Sequence, residues 1–115
     1  MKKIATAFAF TALVGAVAAS DVAVASDTGV AQALHSLQRV GGRTCLVDHY
    51  HDGSGSGRTR YEALKSAVSA WAGFTSWEYG TSWGRYSIAN SKSENCSRDM
   101  SGGWSCSISA IPCRG

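Results

Sequence analysis

The sequence predicts a small two-layer α+β domain, in which one helix packs on one face of an antiparallel sheet and two disulfides close the fold. Three observations lead to this class. One long amphipathic segment lies between a first strand and two later ones, in the order strand, helix, strand, strand. The last segment alternates apolar and polar residues, as in a sheet with one covered face. Four cysteines in a chain of 115 residues that begins like an exported protein indicate two disulfides.

Residues 1–25 have the layout of a secretory signal peptide. Lys2 and Lys3 precede an uncharged apolar run over residues 4–18, and small residues follow. Cleavage is predicted after Ala19 or after Ala25. The apolar run is shorter than the ~20 residues that span a bilayer, which disfavours a retained membrane anchor. The sequence therefore predicts a periplasmic or secreted bacterial protein with no membrane span after cleavage.

Residues 26–43 are predicted to be flexible or weakly helical, and residues 44–115 to form a single disulfide-linked domain. The domain opens with a strand over residues 44–50, which is rich in β-branched and aromatic residues. The Gly-Ser alternation of residues 53–57 offers no side chains to bury, and we expect a flexible loop there.

The central helix is predicted over residues 60–79 from apolar residues that recur at helical spacing. Thr59 is suited to cap its start and Gly80 to end it. Strands are then predicted over residues 83–96 and 104–110. Because the helix is long and apolar, it must pack on the apolar face of the sheet.

The cysteines allow three pairings, and their number does not choose among them. Cys96 and Cys106 flank a polar stretch suited to a hairpin, which brings paired residues within disulfide distance. Cys45 and Cys113 would then tie the first strand to the last. A zinc–thiolate site is the alternative, but the chain has no C-x2-C pair and its export-type start indicates an oxidising compartment.

The remaining aromatic, glycine and cysteine residues form a spaced pattern. It runs through Asp48-His49-Tyr50-His51, Ala70-Trp71, Tyr79-Gly80, Trp83, Ala89, Cys96, Trp104-x-Cys106 and Ala110-x-Pro112-Cys113. This pattern resembles a group of small, uncharacterised exported proteins of proteobacteria. The resemblance covers residues 44–114 and implies export and an α+β fold. It implies no activity and no catalytic residue.

The string Asp48-His49-Tyr50-His51-Asp52 is the strongest candidate for metal chemistry. On a strand, His49 and His51 would share one face and could both reach a Cu²⁺ or Zn²⁺ ion. A firm site needs a third donor, for which Asp52 and His35 are the candidates. The alternative is that both histidines are ordinary, partly exposed residues of the sheet.

The tryptophans suggest a second kind of site. Trp77 and Trp83 flank the predicted helix end, where amphipathic rings can stay exposed. With Tyr86 they could contact a ligand or a partner. The alternative is that these rings fill the core.

Composition narrows the function. After removal of residues 1–25, nine basic and seven acidic residues remain, and the basic ones are scattered, which argues against a nucleic-acid groove. Residues 53–57 carry Gly where a nucleophile elbow needs Ser, so no catalytic set can be assembled. The sequence predicts a non-enzymatic envelope protein with a binding or structural role, no cofactor, and a glycan or another envelope component as partner. Its oligomeric state is left open. The alternatives are a weak Cu/Zn-binding protein and a small envelope hydrolase.

Overall fold

The computed structural model describes residues 25–115, so the predicted signal peptide lies outside the described residues except for Ala25. The elements follow one another as α1 (Val30–Leu34), β1 (Leu37–Val40), β2 (Arg43–Leu46), β3 (His51–Gly57), α2 (Arg60–Tyr79), a 3₁₀ turn (Tyr86–Ile88), β4 (Asn90–Arg98), β5 (Trp104–Ile111) and β6 (Cys113–Arg114).

The strands form two antiparallel sheets, with the orders β1-β2-β6 and β3-β5-β4. Only Pro112 separates β5 from β6, and residues 47–50 separate β2 from β3. The second sheet carries α2 on one face, in the chain order β3, α2, β4, β5. This confirms the predicted α+β class, with the helix on one face of an antiparallel sheet. The strand before α2 in this sheet is residues 51–57, whereas the strand predicted over residues 44–50 lies in the other sheet.

Both predicted disulfides are present, joining Cys45 to Cys113 and Cys96 to Cys106. In each case the two cysteines are register partners on neighbouring antiparallel strands. The first disulfide therefore joins β2 to β6 in one sheet, and the second joins β5 to β4 in the other.

Helix α2 begins and ends as its sequence predicts. The Thr59 side chain accepts a hydrogen bond from the Glu62 amide at 3.1 Å, and the Glu62 carboxylate accepts one from the Arg58 amide at 3.0 Å. At the other end Gly80 has a φ of 108°, which a residue with a Cβ rarely adopts. The buried face repeats every four residues, through Ala63, Ala67, Trp71, Thr75 and Tyr79.

The Gly-Ser segment is a strand, and the expectation of a flexible loop is wrong. Gly53, Gly55 and Gly57 all face α2, and a Cβ built on Gly53 would lie 2.4 Å from the carbonyl oxygen of Ala67. The missing side chains allow the helix backbone to lie directly on the strand. Because only the small face of β3 meets α2, the alternating serines must point to the opposite face.

Two other strands differ from their predicted bounds. The strand expected over residues 44–50 ends at Leu46, because Asp48 takes a left-handed conformation with a φ of 51° and turns the chain. The strand expected over residues 83–96 begins only at Asn90 and runs to Arg98. Residues 26–43 contain the short helix α1 and then β1.

Trp83 is a core residue, so the expectation that it presents an exposed ring to a ligand is wrong. Its side chain has no solvent exposure, and its ring contacts Tyr79 at a centroid distance of 6.2 Å. The indole N–H donates to Asp27 at 3.3 Å. Arg114 stacks on the same ring and forms an ion pair with Asp27. The chain between α2 and the 3₁₀ turn therefore folds inward.

Candidate functional site

All three histidines of the chain lie together, although they come from different segments. His35 ends α1, His49 precedes β3, and His51 begins β3. The rings of His35 and His49 are 4.4 Å apart, and those of His49 and His51 are 5.1 Å apart. We call these residues the histidine cluster; it surrounds the last turn of α2.

A hydrogen-bonded chain runs through this cluster. His51 Nδ1 is 2.9 Å from the Thr75 hydroxyl, and His51 Nε2 is 3.3 Å from the Tyr79 hydroxyl. The Tyr79 hydroxyl is also 3.2 Å from His35 Nε2. Glu78 approaches from the helix, with Oε2 3.4 Å from His51 Nε2. These contacts connect Thr75 in the core, through His51 and Tyr79, to His35.

Burial controls the electrostatics of this chain. Only 4% of His51 is exposed, and burial, partly opposed by Glu78, lowers the pKa of its imidazole. Burial, followed by the charge of Glu78, raises the pKa of the Tyr79 hydroxyl. His51 is therefore held neutral and Tyr79 protonated near neutral pH.

The structure brings His35 to the predicted His49–His51 pair and leaves Asp52 apart. Asp52 is exposed on the opposite face of β3 from His51, as strand alternation requires. Within residues 25–115, no three His, Cys, Asp or Glu side chains are placed to hold one metal ion. Instead, the Tyr79 hydroxyl occupies the space between His35 and His51.

Of the predicted aromatic contacts, Trp77 is the one that is strongly exposed. It is 76% exposed and stacks on Phe74 at 6.3 Å, while Phe74 in turn lies 4.8 Å from the His51 ring. Tyr86 is half-buried against Trp71, donates to Glu94 at 2.9 Å, and has its pKa raised to about 12, first by burial and then by Glu94. Trp77 and Tyr86 therefore do not form one surface with the buried Trp83.

The most regular surface of the molecule is the face of the β3-β5-β4 sheet away from α2. Register partners place nine small polar side chains there in three rows of three. All but the partly exposed Ser109 are exposed. The rows are Asp52, Ser109 and Ser93; Ser54, Ser107 and Asn95; and Ser56, Ser105 and Ser97. We call this array the serine face.

Sheet geometry sets the spacing of this array. Neighbouring groups lie about 4.8 Å apart across the strands and about 6.8 Å apart along them. Two shallow cavities of about 550 and 450 Å³ lie over the face, and a third of about 510 Å³ lies beyond its last row, where it contacts only Ser56 of the array. The first two share Ser54, Asn95 and Ser107, and the third adjoins the second at Ser56. They therefore form one continuous groove along the strands, which ends at Arg58 and Asp99.

The serine face is hard to predict from the sequence for an identifiable reason. The alternation of Ser105, Ser107 and Ser109 predicts a strand, but the Gly-Ser composition of residues 53–57 predicts a loop. The available signal was a period of two in both segments, with glycine in place of the apolar residues. If the glycines are packed positions, residues 53–57 form a strand whose serines can lie beside those of residues 105–109.

No protein-family model, curated protein or solved structure matches this chain. Among the described residues, no helix combines the length and apolar character that crossing a membrane requires. Two closed disulfides are typical of proteins outside the reducing cytoplasm. Function is therefore inferred from the chemistry of these surfaces.

Proposed function

We propose that this chain is an exported, non-enzymatic binding domain of the bacterial cell envelope, and that its serine face binds an uncharged linear glycan. The observation that carries the proposal is the array of nine small polar groups, of which seven are serines and only Asp52 is charged. Export is supported by the signal-peptide layout of residues 1–25 and by the two disulfides.

The chemistry of the face suits a polyhydroxylated ligand. Each serine hydroxyl offers one donor and two acceptor positions, as each sugar hydroxyl does. Serine is short, so ordering it on binding costs less side-chain entropy than ordering Lys, Arg or Gln. A ligand rich in hydroxyl groups can therefore replace the water on this face with matched hydrogen bonds.

Other classes of ligand fit this face poorly. Nucleic acids require clustered basic residues, and membrane surfaces require an apolar stripe or a polybasic patch. Protein interfaces are enriched in aromatic residues and Arg and depleted in Ser. The composition of the array is the opposite of each of these.

The shape of the groove favours a linear chain. The three cavities follow the strand direction and share lining residues, from Asp52 at one end to Arg58 at the other. A compact sugar would use one cavity, whereas a linear glycan would use all three. The ligand would then lie parallel to β5.

A binding experiment with two matched variants tests the proposal. The probes are purified peptidoglycan sacculi in a pull-down and soluble N-acetylglucosamine oligomers in calorimetry. Ser107→Glu places a charge in the centre of the face, where we expect affinity to fall about tenfold or more, the equivalent of 1.4 kcal/mol. Ser69→Glu places the same charge on the exposed side of α2 and is expected to bind like the wild type.

The results separate this proposal from its competitors. The proposal is contradicted if both variants lose binding equally, or if the wild type binds neither the sacculi nor the oligomers. Quenching of tryptophan fluorescence that Ser107→Glu leaves unchanged would instead indicate binding at Trp77. Steady release of soluble sugar from sacculi would indicate the hydrolase.

Export is tested separately. N-terminal sequencing of the protein from a periplasmic fraction should give a chain that begins at Ser20 or Ser26. An intact Met1 in the cytoplasmic fraction would contradict it.

A further inference from the structure

The histidine cluster lies at a junction that neither disulfide spans. The segment over residues 25–40 precedes every cysteine, so apart from the peptide bond after Val40 only noncovalent contacts hold it in place. Three of those contacts involve Tyr79 or its neighbour. The Thr28 amide donates to the Tyr79 carbonyl at 2.9 Å, the Thr28 hydroxyl donates to the Glu78 carbonyl at 2.8 Å, and His35 meets the Tyr79 hydroxyl.

We propose that the histidine cluster is a proton-sensitive latch: neutral imidazoles hold residues 25–40 against the end of α2, and protonation loosens this segment. The proposal does not depend on which ligand the serine face takes.

When His35 and His51 are neutral, both can form a hydrogen bond with the Tyr79 hydroxyl. A tyrosine hydroxyl has one proton to donate and accepts on its lone pairs. Of the two Nε2 atoms beside it, one therefore accepts from the hydroxyl and the other donates to it. His51 meets the Thr75 hydroxyl with its second nitrogen, so both of its nitrogens are bonded inside the core.

A positive charge on His51 is unfavourable because few negatively charged groups lie near it. The titratable groups that act on His51 are Glu78 from α2, Asp52 on the opposite face of its own strand, and the imidazoles of His49 and His35. Only Glu78 comes within ion-pair distance, at 3.4 Å. Two or three imidazolium groups with rings 4.4 and 5.1 Å apart would repel one another at this site.

His35 adds a second cost. Its Nδ1 atom is buried and has no hydrogen-bond partner within residues 25–115. A buried polar atom without a hydrogen bond costs free energy, so this nitrogen makes the closed arrangement of the segment less favourable. Opening of the segment would return this group to water.

The direction of the pH dependence follows from His51. Its pKa in the folded chain lies below the usual 6.5, first because of burial. The unfolded chain therefore takes up a proton near pH 6.5 that the folded chain does not yet bind. The stability that this site contributes is complete above pH 6.5 and is lost as the pH falls below that value.

Denaturant unfolding between pH 7.5 and pH 5 tests the latch, because Asp and Glu side chains remain largely ionised over this range. For the wild type we expect the unfolding equilibrium constant to rise towards pH 5, by about tenfold for each unit by which the pKa of His51 is lowered. The His35→Gln/His51→Gln variant keeps amide hydrogen bonding without a titrating group, and we expect most of the rise to disappear.

His49→Gln removes one neighbouring imidazole and leaves His51 buried. The pH dependence should become smaller but persist, because burial is the first cause of the lowered pKa of His51. Two measurements on the wild type avoid any folding defect in the variants. The His51 imidazole should titrate below pH 6.5 by NMR, and amide exchange at pH 5, corrected for intrinsic rates, should accelerate more in residues 25–40 than in β5.

Three results would overturn the latch. The unfolding constant could be unchanged between pH 7.5 and pH 5. His51 could titrate at or above pH 6.5. Exchange could accelerate equally in residues 25–40 and in β5, which would mean that protonation acts on the whole fold.

Discussion

At the scale of single residues, Tyr79 makes contacts that its position in the sequence does not reveal. Its hydroxyl lies between two imidazoles, its carbonyl accepts from Thr28, and its ring packs against Trp83. In the sequence it is only the last residue of a predicted helix. Its role follows from the convergence of segments that are far apart along the chain.

One prediction at this scale concerns the affinity for metal ions. We expect Cu²⁺ and Zn²⁺ to bind the wild type no more tightly than they bind the His35→Gln/His49→Gln variant. His35 Nε2 and His51 Nε2 lie 3.2 and 3.3 Å from the Tyr79 hydroxyl, whereas zinc needs donor nitrogens at about 2.0–2.1 Å from itself. The hydroxyl would have to leave and both rings would have to move.

Calorimetry with each ion at pH 7.5 gives the answer. Tyr79→Phe is the informative companion, because it removes the hydroxyl and keeps all three imidazoles. Wild-type binding that is at least tenfold tighter than that of the His35→Gln/His49→Gln variant, and that weakens as the imidazoles protonate below pH 6.5, would contradict the expectation.

At the scale of elements, the contact of β3 with α2 decides the architecture. A strand of alternating Gly and Ser has one face with no side chains, and that face lies against the helix backbone. The same contact directs the serines outward and so creates the serine face. Packing and candidate function therefore come from one repeat of two residues.

A pair of glycine substitutions tests this contact. Gly53→Ala should destabilise the fold by about 3 kcal/mol, because the new Cβ would lie 2.4 Å from the Ala67 carbonyl oxygen and 2.8 Å from Trp71 Cβ. Gly73→Ala lies within α2, where nothing is within 4 Å of the new Cβ, and should stabilise the fold by about 0.5–1 kcal/mol.

Urea unfolding of both variants measures these changes. Equal effects would mean that β3 does not pack closely on α2, and the serine face would then lose its structural basis. A flexible loop over residues 53–57 would tolerate Gly53→Ala with little change.

At the scale of the whole molecule, the two disulfides stabilise different parts of the fold. Cys45–Cys113 closes 68 residues and lies in the buried cluster that includes Tyr79 and Trp83. Cys96–Cys106 closes only ten residues and lies beside α2. In the chain-entropy model the longer loop contributes more, because the unfolded chain loses more freedom when its ends are joined.

Removal of each disulfide in turn should show this difference. We expect Cys45→Ala/Cys113→Ala to lose about 4 kcal/mol and Cys96→Ala/Cys106→Ala about 3 kcal/mol, with a further loss in the first pair because both of its cysteines are fully buried. Denaturant unfolding at pH 7.5 measures both. A larger loss from the second pair would contradict the entropy model for this fold.

Local signals in the sequence were sufficient for the features that depend on near neighbours. The caps Thr59 and Gly80 bound α2 because capping involves residues within one turn. The pairing of Cys96 with Cys106 follows from a hairpin of ten residues, and Cys45–Cys113 then follows by elimination. The α+β class rests on the same periodic patterns.

The sequence by itself determined the helix, strand β5, the pairing of Cys96 with Cys106 and the fold class, since each depends on local periodicity or on a short loop. Tertiary structure alone decided that Trp83 is buried, that His35 joins the other histidines and Asp52 does not, and that the glycines of β3 are a packing surface. These outcomes depend on contacts between distant segments. A glycine has the same local signal whether it is solvated or pressed against a helix, so only the neighbour that packs on it distinguishes the two.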